Sequence, residues 1–135
     1  MPVDPEFGLR SLGTLARALS TSTALLPLLE TAAEESLLAL QAASVSIGHL
    51  EQDARVLRVL VNVGDLAVSE ERFPQDETYA LAQWVLERQV MTEGITRTAC
   101  LTDADCDPNE AELLKTLGKE SSVHAAILID GRMWG

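Results

Sequence analysis

Apolar residues recur along this chain in two rhythms, one helical and one strictly alternating, and the switches between them divide it into elements. Residues 5–19 are predicted as a first helix. Asp4 can cap it, and Pro5 at the first helical position gives up only an amide that has no partner there in any case. Leu9, Leu12, Ala16 and Leu19 then recur at spacings of three, four and three, a narrow seam of the coiled-coil kind. Thr21, Ser22 and Thr23 break the pattern and offer caps for a second helix over 24–41, with Pro27 in its first turn. Leu25, Leu28, Leu29, Ala32, Ser36, Leu37 and Leu40 form a broad apolar stripe on it, with Glu30, Glu34 and Glu35 off the stripe. Such a helix is expected to lie across a sheet.

From Ser44 the period drops to two. Val45, Ile47 and His49 share one face of a strand over 44–50. In 56–63, Leu57, Val59, Val61 and Val63 share a face, and Arg58 and Asn62 take the other. Joined by the polar residues 51–54, the two read as an antiparallel hairpin with one buried side, ended by Gly64-Asp65. Residues 65–77 form a long polar loop, a length that inside a compact domain is more often functional than idle. A third helix is predicted at about 78–88, capped by Asp76 or Thr78 and turning Leu81, Trp84 and Val85 inward. Residues 89–93 read as a short strand, and 94–106 as irregular. Asp107-Pro108-Asn109-Glu110 marks a helix start: the aspartate caps, the proline takes the first position, and Glu110 completes a capping box. Leu113, Leu114 and Leu117 face inward there, and Gly118 ends the helix. The closing stretch, 122–135, reads as an apolar strand, an Asp130-Gly131 turn and a returning strand. Asp-Gly between apolar runs is a strong hairpin signal, since a tight two-residue turn needs positive φ at both central positions. The return strand has barely begun at Gly135. The expectation is that another chain completes the ribbon, or that these residues are a fragment of a longer protein.

At 135 residues and 47% apolar, the composition suits one folded domain. No apolar run approaches the roughly 20 residues that span a bilayer, and the first residues lack the pattern of a signal peptide. A cytoplasmic protein with no membrane partner is expected. The net charge of −11, from 21 acids against 10 bases, repels phosphate backbones and argues against a nucleic-acid partner. Two cysteines are too few for a disulfide framework.

Individual residues add little chemistry. Asp103, Asp105, Asp107 and Asn109 are spaced like the start of a calcium loop, but the sixth and twelfth positions, which need glycine and an acid, are Pro108 and Leu114. Capping and solvation account better for these acids. Cys100 and Cys106 lie in an acidic stretch, where neighbouring charge raises a thiol pKa and works against a reactive thiolate. His49 and His124 are the histidines, and on neighbouring strands they would be placed to hold a metal, haem or an anion. Two hydrogen-bonded histidines acting separately is the simpler reading. Trp84 is spaced as core, and Tyr79 is less committed. No nucleophile, base and orienting group come together, and no glycine-rich phosphate loop is present.

The succession of elements resembles a GAF domain, the ligand-binding and regulatory module of many signalling proteins. The resemblance covers residues 10–135 and rests on Leu25-Leu-Pro-Leu-Leu-Glu30, Ala43-Ser-Val-Ser-Ile47, Leu57-Arg-Val-Leu-Val-Asn-Val-Gly64, Arg88-Gln-Val-Met-Thr92, Asp107-Pro-Asn-Glu-Ala-Glu-Leu-Leu114 and the 122–135 ribbon. Phe73-Pro-Gln-Asp-Glu-Thr-Tyr79 looks like GAF sensors of actinobacterial type. The resemblance implies an α+β, PAS-related fold: an antiparallel sheet flanked by helices, here with the last strand truncated after Gly135. It implies residues 1–20 as a dimerisation or signalling helix and 21–135 as the domain proper. The implied function is sensory. A small molecule binds between the sheet and the 65–93 region, near His49, Asp65, Tyr79, Leu81, Trp84 and His124, in a homodimer. Binding controls an output domain in cis beyond residue 135, such as a cyclic-di-GMP-turnover domain or a kinase. The Asn-Lys-Phe-Asp-Glu signature of cyclic-nucleotide-binding members is missing, as is a cysteine in the context that attaches bilin, so the residues assign neither ligand nor cofactor. The alternatives are a dimerisation module without ligand, or a cysteine-dependent reductase like the free methionine sulfoxide reductases.

Overall fold

The computed structural model describes residues 24–135 together with Glu6 and Arg10. Those two residues are helical and exposed; the rest of the expected 5–19 helix, with its Leu9, Leu12, Ala16 and Leu19 seam, lies outside the described residues. The element order is α1 (Leu25–Leu40), β1 (Ser44–Glu51), β2 (Val56–Gly64), β3 (Thr78–Ala80), α2 (Val85–Glu93), β4 (Arg97–Cys100), α3 (Pro108–Leu117), β5 (Ser121–His124), β6 (Leu128–Ile129) and β7 (Arg132–Met133). The fold is α+β. Strands β1, β2 and β3 form a sheet in that order, while β4 with β5 and β6 with β7 form two-stranded ladders. The β2–β3, β4–β5 and β6–β7 pairs are antiparallel.

The chain divides into two compact units. The first comprises Met1–Ile47 and Val59–Gln75. Helix α1 buries Leu29 and Ala33, one turn apart. The expected stripe is narrower than the sequence suggests, because Leu25 and Leu40 at the two ends stay exposed. No side chain caps α1: its N-cap is Ala24, and Gln41 closes its other end in the left-handed conformation. In β2, Val59, Val61 and Val63 are buried as the alternation predicts. Asn62, expected on an open side, is fully buried too. Ser46 Oγ donates to its Oδ1, its Nδ2 donates to the Glu71 carbonyl at 2.9 Å, and its amide donates to the Arg72 carbonyl at 2.9 Å. The loop that follows β2 thus folds back onto the face expected to meet solvent, and a buried amide is satisfied by it. Arg72 on that loop donates to Glu30 at 2.6 Å and pairs also with Glu34, both on α1. Gly64 is obligatory: its φ is +99°, and a Cβ would stand 2.9 Å from Ser44 Cα and closer still to the Ala43 carbonyl oxygen.

The second unit comprises Gly48–Arg58 and Asp76–Gly135. Here three expectations shift. Thr78–Ala80 is a strand and not the start of a helix; it pairs with Val56–Arg58. The helix begins at Val85, with Trp84 as its N-cap, and runs to Glu93, so the expected strand at 89–93 is helical. Residues 97–100, expected to be irregular, form β4 against β5, with Arg97 opposite His124 and Ala99 opposite Ser122. Leu50, Leu81, Val90 and Met91 form one buried cluster, joined by Leu57, Ala126 and Met133. Leu86, Ala99 and Leu114 form another, with Leu101 and Cys106 against it. Helix α3 starts as expected: Asp107 Oδ2 accepts from the amides of Asn109 and Glu110, each at 3.1 Å, and Gly118 ends it at φ +68°. Asp130 and Gly131 take φ of +51° and +74°, the geometry expected of the ribbon turn. The strand before that turn is interrupted: β5 stops at His124, and pairing resumes at Ile127, whose amide donates to the Gly135 carbonyl at 2.6 Å and whose carbonyl accepts from the Trp134 amide at 2.8 Å.

Candidate functional site

The second unit holds a buried cluster of ionisable groups drawn from three elements. Ser122 and His124 stand two apart on β5 and so share a face, half-buried, while Ser121 and Val123, which alternate with them, are exposed. Glu87 is the third residue of α2 and Glu110 the third of α3, so each carboxylate lies in a first turn, where the helix dipole favours negative charge. Both side chains turn inward; Glu87 is 4% exposed and Glu110 1%.

His124 links them. Its Nε2 lies 2.9 Å from Glu110 Oε1 and 3.0 Å from Ser122 Oγ, and its Nδ1 lies 3.7 Å from Glu87 Oε1. Ser122 Oγ donates to Glu110 Oε1 at 3.0 Å. The second oxygens, Glu87 Oε2 and Glu110 Oε2, are buried without a hydrogen-bond partner. Burial and the neighbouring Glu110 charge push the Glu87 carboxyl up from 4.5 to about 7. Burial also acts to raise Glu110, but the hydrogen bond and charge of His124 outweigh it and hold Glu110 below the usual carboxylate range. Burial alone would lower His124; the hydrogen bond to Glu110 and the charges of Glu110 and Glu87 prevail and raise it. The arrangement keeps Glu110 ionised against an imidazolium and leaves Glu87 poised near neutrality.

Beside this cluster a cleft of about 620 Å³ opens, lined by residues that include Leu86, Gln89, Arg97, Asp103, Asp105 and Cys106. Gln89 Oε1 on its wall is buried and unpartnered. Cys100 and Cys106 are free thiols. Burial, then the charges of Glu110, Asp103 and Asp107, push the Cys106 thiol up, in the direction its acidic surroundings predict and away from a reactive thiolate. Asp107 is engaged in capping α3, and among the described residues Asp103, Asp105 and Asp107 do not join a converging group of metal-ligand type.

Of the residues singled out from sequence, His124 alone belongs to the cluster, and none of the six lines the cleft. His49 takes a different partner from His124: its Nδ1 lies 2.8 Å from the Trp134 carbonyl oxygen and its ring is tilted against the indole at 4.6 Å. Tyr79 and Trp84 are brought together edge to face at 4.9 Å, and Tyr79 donates to Glu77 at 3.1 Å. Leu81 is a core residue, 4% exposed. Asp65 is exposed after β2, its amide donating to the Ala43 carbonyl at 2.8 Å. Sequence reasoning missed Glu87, Ser122 and the inward role of Glu110. Glu110 read as the acid of a capping box, yet its carboxylate turns to His124 and Ser122. The available signal was Glu87 three and four residues before Val90 and Met91, an acid on an apolar helical face.

No protein-family model and no curated protein matches the chain. Solved structures do. The phycoerythrobilin-bound GAF domain from a cyanobacterial phytochrome aligns with a TM-score of 0.75 at 16% identity, over 100% of this chain and 79% of that one. The phycocyanobilin-bound GAF domain from a cyanobacterial phytochrome gives 0.69 at 16%, over 100% of this chain and 78% of the other. The A. aeolicus nlh2 GAF domain in an inactive state gives 0.69 at 14%, over 96% and 76%. The chain has the GAF fold.

Proposed function

We propose that this chain is a regulatory domain that binds a small molecule and passes the event to an output domain in cis. The observation that carries the reading is the GAF fold itself, matched over the whole chain by domains of which two hold a bilin. The cleft in the second unit supports a ligand of a different kind. Asp103 and Asp105 outnumber Arg97 on its wall, and Gln89 offers a buried acceptor. Such a wall repels the propionates of a bilin and the phosphate of a cyclic nucleotide, and favours an amine- or guanidine-bearing metabolite. Differential affinity for two conformations, typically about 1–3 kcal/mol, is what such a domain passes on. Pairing through Leu9, Leu12, Ala16 and Leu19 offers a route to the partner subunit.

Thermal unfolding in 150 mM salt against arginine, spermidine, cyclic GMP and biliverdin tests the ligand class. An amine is expected to raise the midpoint by mass action, with the shift lost in the Asp103→Asn/Asp105→Asn double variant. The amine reading fails if only the anionic compounds act, and the sensory reading fails if none of the four does so. Sedimentation of Leu12→Asp tests the pairing: a monomer is expected where the parent chain associates.

A further inference from the structure

We propose that Glu87, Glu110 and His124 form a binding site for one divalent first-row transition-metal cation of the zinc class. One ligand atom from each residue lies within 4.8 Å of the other two. A zinc-like ion sits about 2.0–2.2 Å from carboxylate oxygen or imidazole nitrogen, so ligand atoms sharing it lie at most roughly 4 Å apart. His124 Nε2 lies 2.9 Å from Glu110 Oε1, within that reach, while Glu87 Oε1 lies nearest the other ring nitrogen, 3.7 Å from Nδ1, so one carboxylate must swing toward the nitrogen that takes the ion.

A second observation points to a ligand independently of that convergence. Glu87 Oε2 and Glu110 Oε2 are each buried with no N–H or hydroxyl donor, on side chains 4% and 1% exposed, and the hydrogen bond between the two carboxyls exists only while one of them keeps a proton. A carboxylate oxygen withdrawn from water without a partner is costly, and a cation is the partner that satisfies two of them together. Charge is compatible: two carboxylates and a neutral imidazole balance a dication, which would take the place of the protons that Glu87 and His124 hold without it. Ser122 Oγ, donating to Glu110 Oε1, supplies the outer hydrogen bond that orients a ligating carboxylate. The donor set selects the metal. Calcium takes six to eight oxygens, and magnesium keeps an oxygen octahedron; an imidazole beside carboxylates suits zinc, manganese or iron(II). The ligands come from α2, α3 and β5, so an ion would tie those three elements together.

The experiment is a calorimetric titration of the chelator-stripped chain with zinc sulfate, with magnesium chloride as the control. One equivalent of zinc per chain is expected, with no saturable magnesium binding. Glu87→Gln and His124→Gln are each expected to weaken zinc by more than about 100-fold, since loss of an outer-shell partner alone costs up to that much. The Cys100→Ser/Cys106→Ser double variant and His49→Ala should bind as the parent does. Cobalt(II) provides a readout that needs no ligand variant: bound cobalt should show ligand-field bands without thiolate charge transfer. Absence of a saturable zinc equivalent, binding indifferent to both Glu87→Gln and His124→Gln, or binding lost in the cysteine variant would each overturn the proposal.

Discussion

Glu87 sets how this chain's stability answers to pH. Its carboxyl is raised to about 7 from an ordinary 4.5, so between those values the folded chain holds a proton that the unfolded chain has released. Stability therefore falls as pH climbs from about 4.5 through 7. His124, also raised, acts in the same direction: its contribution is lost as pH rises through its folded value. Glu110 acts the other way, but at lower pH, because its folded value is depressed and its contribution is gained as it ionises. With chelator present, urea midpoints are expected to decline from pH 5 to pH 8, and Glu87→Gln to flatten that decline. The substitution should stabilise the chain at pH 8 by up to about 3 kcal/mol, since it removes a carboxyl that folding pushes up from 4.5 to about 7. A profile unchanged by Glu87→Gln would show that this carboxyl is not the buried titrating group. Asn62 is the other telling side chain. Asn62→Ala leaves the Glu71 carbonyl and the Ser46 hydroxyl without their partner in a fully buried position, and should cost about 2–3 kcal/mol in denaturant titrations. Neither residue stands out in the sequence. Asn62 falls on the polar side of an alternating strand, and only the fold-back of residues 71–72, a contact ten positions away, buries it.

Elements with strong local punctuation were legible, and those without it were not. Helix α3 is specified by Asp107, Pro108 and Gly118, and the last ribbon by Asp130-Gly131, signals that act within a few residues whatever surrounds them. Strand β2 shows through its run of Val59, Val61 and Val63. In contrast β3 is three residues long, too short to show an alternation, and exists because Val56–Arg58 present a ladder for it. Taking Thr78–Ala80 into a helix displaced the next helix boundary, and Val90-Met91 at its far end then imitated a strand. The left-handed Gly94 that closes α2 was the corrective signal. The site suffered most from this slip. With α2 misplaced, Glu87 could not be put on the same side as Glu110 and His124, and His124 was instead paired with His49. Two substitutions test the local signals. Asp107→Ala should remove both accepted hydrogen bonds and cost about 1 kcal/mol. Gly64→Ala should cost more than that, since positive φ and the Ala43 carbonyl both oppose a Cβ. If Gly64→Ala proved neutral in chemical denaturation, the turn after β2 would not be as drawn.

Across the whole chain the dominant electrostatic fact is the excess of acids, −11 over 135 residues. Among the described residues two arginine clusters oppose it: Arg72 with Glu30 and Glu34, and Arg58 with Glu51 and Asp76. These side chains are only partly buried, and such pairs contribute about 0–1 kcal/mol each while being screened by salt. Self-repulsion among eleven uncompensated charges is screened as well, with a Debye length near 10 Å at 0.1 M salt. The two effects have opposite signs, so the salt dependence of stability decides between them. The pairs are few and exposed, whereas the repulsion involves the entire surface, and raising sodium chloride from about 10 mM to 500 mM should therefore move the urea midpoint upward. A downward shift would mean that the arginine clusters outweigh the net charge, and Arg72→Ala should then cost well over 1 kcal/mol at low salt. The same field bears on the ligand. Positive molecules are drawn to this surface from solution without any site, and that attraction fades with salt. Occupancy of a closed site lined by Glu87 and Glu110 would persist. Metal or amine binding retained at 500 mM salt is thus the mark of a pocket, and binding that vanishes there is the mark of the field.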